Sequence, residues 1–280
     1  MITVGIAAFK EPKIARALKA VLREDVKKEV IVACPDKETA GIVKGFKGVK
    51  LIKEKRKEGK PSAVNKILRA AKGDIIVLTD ADMHVKKGSL KKLIEPFKDK
   101  EVSVACGRPV VTNKTGMMAY WGRTLYDIVH KQRLAGAEHL TTNLCAFRSG
   151  CVNRIPKEAL VDDYVIGLEC SKKGGFVYVP QAVVKVKFPT SISDFLKQRA
   201  RTFAGYMQVK DWYGSSERSF KGEVSQAGSV LRYIKNPKEF CWTGLLAFFR
   251  LVAWLKAYWD YRVRNKGLKD IWQPVETTKA

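Results

Sequence analysis

Two aspartates one residue apart stand near the end of "GDIIVLTDADMHV", residues 73–85. Asp80 and Asp82 follow the apolar run Ile75-Ile76-Val77-Leu78, so a buried strand delivers both to its carboxyl end. Paired carboxylates in that position suit a hard divalent cation, held through oxygen with coordination positions left for phosphate and water. A cation held this way binds a diphosphate and stabilises its charge as it departs. Solvated acids in a turn share the spacing. That alternative is weakened here because Lys and Arg number 53 against 28 Asp and Glu, a net charge of +25.

Three other stretches carry chemistry, each beside a plainer alternative. In "KEGKPSAVNK", residues 57–66, Lys60 precedes a helix whose free backbone N–H groups, like the ammonium, favour an anion; a solvated basic loop is the alternative. In "VDDYVIG", Asp162 and Asp163 are adjacent acids in apolar company, where one carboxylate can take a proton from an attacking hydroxyl or merely cap a helix. In "KQRARTFAG", residues 197–205, Arg201 has the bidentate fork that neutralises a diphosphate and Gln198 can hydrogen-bond a sugar or the acceptor. The alternative there is a lipid-facing basic helix.

The elements that position these residues alternate strand and helix. "ITVGIAAF" is a buried strand, "KIARALKAVLRE" a helix and "EVIVAC" a strand. "TAGIVKGF" is a short helix, "VKLIKEK" a strand, and "PSAVNKILRAAKG" a helix opened by Pro61 and closed by Gly73 before "DIIVLTD". Such alternation predicts an α/β fold, a mostly parallel sheet with helices on both faces, and ligands beyond the carboxyl ends of the strands. Past Pro189 the character changes. "SISDFLKQRARTFAGYMQVKDWYG" sets Phe195, Phe203, Tyr206 and Met207 on one helical face, which either lies on a membrane surface or packs on the sheet.

"FCWTGLLAFFRLVAWLKAYW", residues 240–259, is apolar but for Thr243, Gly244, Arg250 and Lys256. A helix of that length reaches ~30 Å, enough to cross a hydrocarbon core or to lie in its interface. The basic "DYRVRNKGLK" that follows suits a cytoplasmic, lipid-facing flank. The expected organisation is a catalytic domain over 1–188, amphipathic membrane-interface helices over 189–235, a hydrophobic anchor over 236–262 and a basic tail over 263–280. The N-terminal apolar run lacks a basic leader and a cleavage site, so the catalytic domain is expected in the cytoplasm at the membrane. The six cysteines form no Cys-x-x-Cys pair and, with three histidines, no zinc site; they read as small buried hydrophobes.

The ordered series of motifs over residues 2–206 resembles glycosyltransferase family 2, in its cellulose-synthase-like and hyaluronan-synthase-like membrane branch. "AAFKEP" looks like that family's first-strand motif, "GKPSAVN" its Gly-Lys-x-x-Ala-x-Asn, "TDAD" its Asp-x-Asp, "VDDY" its base motif and "QRART" its Gln-x-x-Arg-Trp. The resemblance implies a GT-A, Rossmann-like fold and a nucleotide-sugar donor. It places Ala7, Phe9 and Glu11 by the nucleoside, Asp36 at the base, Lys60 facing the nucleotide, Asp80 by the ribose and diphosphate, and Asp82 on Mg²⁺ or Mn²⁺ with Asp80 beside it. Asp163 becomes the general base of an inverting displacement, with Asp162, Arg148 and Thr202 around the base and acceptor and with Gln198 and Arg201 closing over the diphosphate. Two positions depart from the family: "CPDK" replaces a double acid, and Thr202 stands where the family has Trp. With at most one hydrophobic span, the chain by itself builds no polymer-conducting channel.

The implied function is transfer of a hexose, from GDP-mannose in preference to UDP-glucose, to a hydroxyl of a lipid-linked saccharide, with anionic lipids as partners of the basic surface. A polyprenyl- or dolichyl-phosphate sugar synthase is the alternative. Nucleic acid is not an expected partner, since a nucleic-acid binder has no use for the acidic pair or the hydrophobic run.

Overall fold

The computed structural model describes residues 1–138, 140–214 and 227–279. Its strands are β1 (Ile2–Ala7), β2 (Lys28–Cys34), β3 (Val49–Lys53), β4 (Ile75–Thr79), β5 (His84–Val85), β6 (Val102–Val111), β7 (Leu144–Arg148) and β8 (Gly175–Val186). They form an eight-stranded sheet in the order β3-β2-β1-β4-β7-β6-β8-β5. β1 to β4 are parallel, as the βα alternation predicts. β7 then runs antiparallel to both β4 and β6, with Thr79 opposite Leu144 and Ile75 opposite Arg148. The sheet is therefore mixed in its second half, and β7 begins where β4 ends.

Helices cover both faces. α1 (Ile14–Leu22), α2 (Lys37–Lys44) and α4 (Ser89–Ile94) pack on one side, where Leu18, Val21, Val43 and Leu93 join Val4, Val32 and Val77 in a core. On the other side α3 (Lys60–Ala70), α6 (Asp162–Ser171) and α7 (Ile192–Tyr213) build a second core from Val64, Phe147, Val165 and Phe203. The elements α5 (Met117–Leu134), α8 (Ala227–Leu231), α9 (Pro237–Tyr258), α10 (Leu268–Ile271) and α11 (Glu276–Lys279) complete the chain.

The aromatic face of α7 turns inward. Phe195 and Phe203 are essentially inaccessible and Tyr206 is buried, so of the two expectations for this helix the packed one holds. Gly205 makes that packing possible: a Cβ there would lie 2.6 Å from Val161 Cγ1, so the absence of a side chain lets the segment leading into α6 lie directly on α7.

The hydrophobic run forms α9 and docks on the same unit along its length. Trp254 stacks on Phe203 at 4.3 Å and 11°, Tyr120 Oη and Thr243 Oγ1 are 2.8 Å apart, and the Trp121 indole donates to the Trp242 carbonyl at 2.7 Å. Phe248, Leu255 and Tyr258 stay exposed on its outer side. With the turn that follows, Pro237–Val263 is long and apolar enough to cross a membrane by length and composition. The Trp254→Ala variant is expected to lose about 3–5 kcal/mol of stability, the usual cost of truncating a buried tryptophan. Denaturant unfolding with a near-UV signal from the stacked pair measures it; a loss below 1 kcal/mol would show that α9 is not held by this contact.

Candidate active site

Beyond the carboxyl ends of β1, β3 and β4 lies a cavity of about 1040 Å³. Asp80 follows β4, Lys60 opens α3, and Asp162 with Asp163 forms the first turn of α6. Gly59 precedes Lys60 at φ 94°, a left-handed backbone that favours glycine and turns the chain sharply into the helix. The Lys60 ammonium thereby reaches Asp80 Oδ1 at 2.7 Å, Asp162 Oδ2 at 3.3 Å and the Thr142 hydroxyl at 2.8 Å. One lysine ties together acids from two distant elements.

The loop before α6 is held by two buried amides. Asn65 donates to the Ile155 carbonyl and accepts from its N–H, both at 2.8 Å. Gln208 accepts from Leu160 N–H at 2.9 Å and donates to the Glu158 carbonyl at 3.0 Å. The α6 N-cap position belongs to Val161, so neither aspartate caps the helix. Asp163 instead lines the cavity, with one oxygen accepting from Tyr164 N–H at 3.0 Å.

The electrostatics divide the acids. Loss of solvent and then the charge of Asp162 push the Asp163 carboxyl up to about 6, against the pull of Lys60. Loss of solvent, then Asp80 and Glu11, push Asp82 up to about 7. Burial works against the charge of Lys60, yet Asp162, Asp80 and Asp163 outweigh it and hold the ammonium well above the ordinary lysine range. Burial lowers the Arg201 guanidinium, opposed by Asp162, Asp163 and Asp80, which places its positive charge on the same cluster.

A divalent cation fits this electrostatic pattern at Asp82, since it would offset the loss of solvent and the repulsion by Asp80 and Glu11 that together raise that carboxyl. Among the described residues no three His, Cys, Asp or Glu side chains converge as metal ligands. Asp82, with Asp80 beside it, would hold such an ion only with substrate oxygens completing the shell, a common arrangement for Mg²⁺.

Of the residues singled out from sequence, Ala7, Phe9, Glu11, Lys60, Asp80 and Asp82 line this cavity, as do Asp162, Asp163, Gln198, Arg201 and Thr202. The Gln198 Oε1 atom is buried without a hydrogen-bond partner among the described residues. Thr202 spends its hydroxyl on the Gln198 carbonyl at 2.9 Å. Two residues fall elsewhere. Asp36 caps α2 through Thr39 N–H at 2.9 Å and accepts Lys10 N–H at 3.0 Å; both oxygens are engaged, and Pro35, not Asp36, faces the cavity. Arg148 lies at the opposite end of the sheet because β7 is antiparallel, and its guanidinium donates to the carbonyls of Val102, Phe97 and Asp99.

The C-terminal residues supply a wall that the sequence did not suggest. Trp272 meets Phe9 edge-on at 6.3 Å, and the Lys57 ammonium sits over both rings at 4.4 and 4.3 Å. Thr277 N–H donates to Asp194 at 2.9 Å and fastens this segment to α7. Leu268, Ile271, Trp272 and Val275, apolar residues within a basic tail, were the available signal.

In fold, the chain is similar to the mannosyltransferase PcManGT from Pyrobaculum calidifontis in complex with GDP-Man and Mn²⁺, at TM-score 0.61 and 19% identity over 94% of this chain and 74% of that one. It is also similar to S. aureus TarS 1-349, at TM-score 0.52 and 14% identity over 94% of this chain and 73% of that one. Among curated proteins none matches the sequence significantly. The family model described as "Glycosyltransferase like family 2" matches residues 1–205, the stretch that contributes every carboxylate of the cluster, and the chain belongs to that family.

Proposed function

We propose that the protein is a metal-dependent, inverting hexosyltransferase of the cellulose-synthase-like branch, acting at the cytoplasmic side of a membrane rich in anionic lipids. Its donor is GDP-mannose in preference to UDP-glucose, and its acceptor is a hydroxyl of a lipid-linked saccharide. The observation that carries this is the Lys60 bridge, which joins Asp80 of the donor side to Asp162 of the base side at 2.7 and 3.3 Å. The family membership and the likeness in fold to a GDP-Man-bound mannosyltransferase support it.

In this mechanism Lys60 and Arg201 neutralise the donor diphosphate, Asp80 orients the ribose, and Gln198 offers its carbonyl oxygen to a donor group. Asp82 would hold Mg²⁺ or Mn²⁺, which supplies charge stabilisation for the leaving diphosphate. The acceptor hydroxyl oxygen forms a bond to the anomeric carbon while the bond from that carbon to the diphosphate oxygen breaks. The hydroxyl proton passes to Asp163, and the electron pair leaves with the nucleoside diphosphate. A general base matters most for a hydroxyl acceptor, since a lipid phosphate is already ionised; this favours a lipid-linked saccharide over a polyprenyl-phosphate synthase.

Thermal-shift titration with GDP-mannose, UDP-glucose and a dTDP-sugar, with and without Mn²⁺, tests the reading. The largest stabilisation is expected with GDP-mannose plus Mn²⁺. Because Asp82 must lose its proton to ligate, apparent Mn²⁺ affinity is expected to fall about tenfold per pH unit below about 7. No shift with any nucleotide-sugar sinks the transferase assignment, and pH-independent Mn²⁺ binding removes Asp82 as its ligand.

A further inference from the structure

The cavity does not stop at the carboxylates. Pockets for one small ligand run from roughly 300 to 1,000 Å³, and this one holds about 1040 Å³. Its far wall is α9, from which Phe240, Gly244, Ala247 and Leu251 face the space. Their spacing of three and four residues is that of one helical stripe. Ile128 and Val129 of α5 and Val230 and Leu231 of α8 line the same cavity, with Gln132 and Arg133 one turn further along α5, so this arm is apolar with a polar end.

Two features make the arm a trough. Gly244 and Ala247 are the smallest residues available, and a Cβ built on Gly244 meets nothing within 4 Å. Phe240 and Leu251 at either end are 65% and 45% exposed, so the trough opens outward, while Thr243, Leu246 and Trp254 line its inner side and are buried. Arg250, next to Leu251 on the same helix, lines the cavity too and lies 5.7 Å from the Phe203 ring centroid. The space thus offers an apolar groove, a guanidinium and, continuous with them, the carboxylate of Asp163.

That combination is complementary to one molecule: an apolar chain with an anionic phosphate head and a reactive hydroxyl beyond it. We propose that the trough between α5 and α9 seats the apolar tail of the lipid-linked acceptor, with Arg250 on its phosphate. The assignment rests on the acceptor proposed above. It adds where the lipid lies and names Gly244 and Ala247 as residues that set how thick a chain is admitted.

Farnesyl phosphate binding to the full chain, followed by native mass spectrometry, tests this without turnover. Gly244→Phe fills the trough and improves the local helix propensity, so it is expected to fold. It is expected to weaken farnesyl phosphate binding about tenfold, the loss of roughly two methylenes' worth of burial. Leu245→Trp adds bulk at a 42% exposed position of α9 off that stripe and outside the cavity lining, and is expected to bind as the parent chain does. Farnesol is expected to bind more weakly than its phosphate. Undiminished binding to Gly244→Phe overturns the proposal, as does displacement of the probe by dioleoyl phosphatidic acid vesicles at equal lipid concentration, which would make the groove a general membrane contact. A tenfold loss in Gly244→Phe supports the trough even where no nucleotide-sugar stabilises the protein; that second result would remove the transferase reading alone.

Discussion

Asp163→Asn is expected to lower kcat for sugar transfer by about 10²–10⁴, the usual contribution of a positioned general base, while donor binding is retained. The substitution is nearly isosteric and keeps an oxygen to accept Tyr164 N–H, so the first turn of α6 is preserved. With the parent enzyme, kcat/KM for the acceptor is expected to fall on the acid side with an apparent pKa of about 6, and the variant's residual rate is expected to lose that limb. Stability moves the other way. The folded-state carboxyl is raised above its unfolded value of 3.8, so between 3.8 and about 6 the folded protein binds the extra proton. The stability this group contributes is full below the lower value and is lost as pH rises through the upper one. Asn cannot ionise, so the variant is expected to be at least as stable as the parent at pH 7. Undiminished transfer with intact donor binding would remove Asp163 as the base.

Lys60→Met is expected to damage both binding and fold. Its ammonium meets Asp80, Asp162 and Thr142 at once, and an uncharged side chain of similar length leaves those acids facing one another. Removing one partner of a fully buried pair costs about 3–5 kcal/mol. Here the side chains of Lys60 and Asp80 keep 30% and 24% of their exposure, so solvent screening reduces the expected loss to about 1–3 kcal/mol. Donor KM should rise by roughly 10–100-fold, the worth of one charge-assisted hydrogen bond to phosphate. The stability deficit should narrow in acid, as Asp82 and Asp163 take up protons. Donor affinity equal to that of the parent chain would place the diphosphate away from Lys60.

The first half of the fold was legible because its signals are local. Apolar runs at strand length, Pro61 and Gly73 around α3, and acids directly after β4 need no tertiary information. The second half depends on strand direction, which periodicity does not encode. β7 runs antiparallel, which puts Arg148 at the end of the sheet away from the cavity and Thr142, just before the strand, beside Lys60. The family resemblance placed Arg148 near the acceptor, and Thr142, a direct partner of Lys60, stands in no motif that singles it out. Asp36 shows the same limit at short range, because a cap and a base contact ask for the same residue after a strand. The aromatic face of α7 was open to two partners until Trp254, about fifty positions later, came to lie on Phe203.

The wall of the cavity is also ordered along the chain. The carboxylates and their two cations are all present by Arg201, whereas Phe240, Leu251, Trp254 and Trp272 come later. During synthesis at about 5–20 residues per second, some 70 further residues take roughly 4–14 s to appear. For that interval the chain holds every residue of the acidic cluster but not Trp272, and until Trp254 is added Phe203 lacks its stacking partner. The protein therefore acquires its chemical groups first and its enclosure last, so a premature stop after the family-matched region would release a molecule with the reactive side chains but without the compartment in which they act.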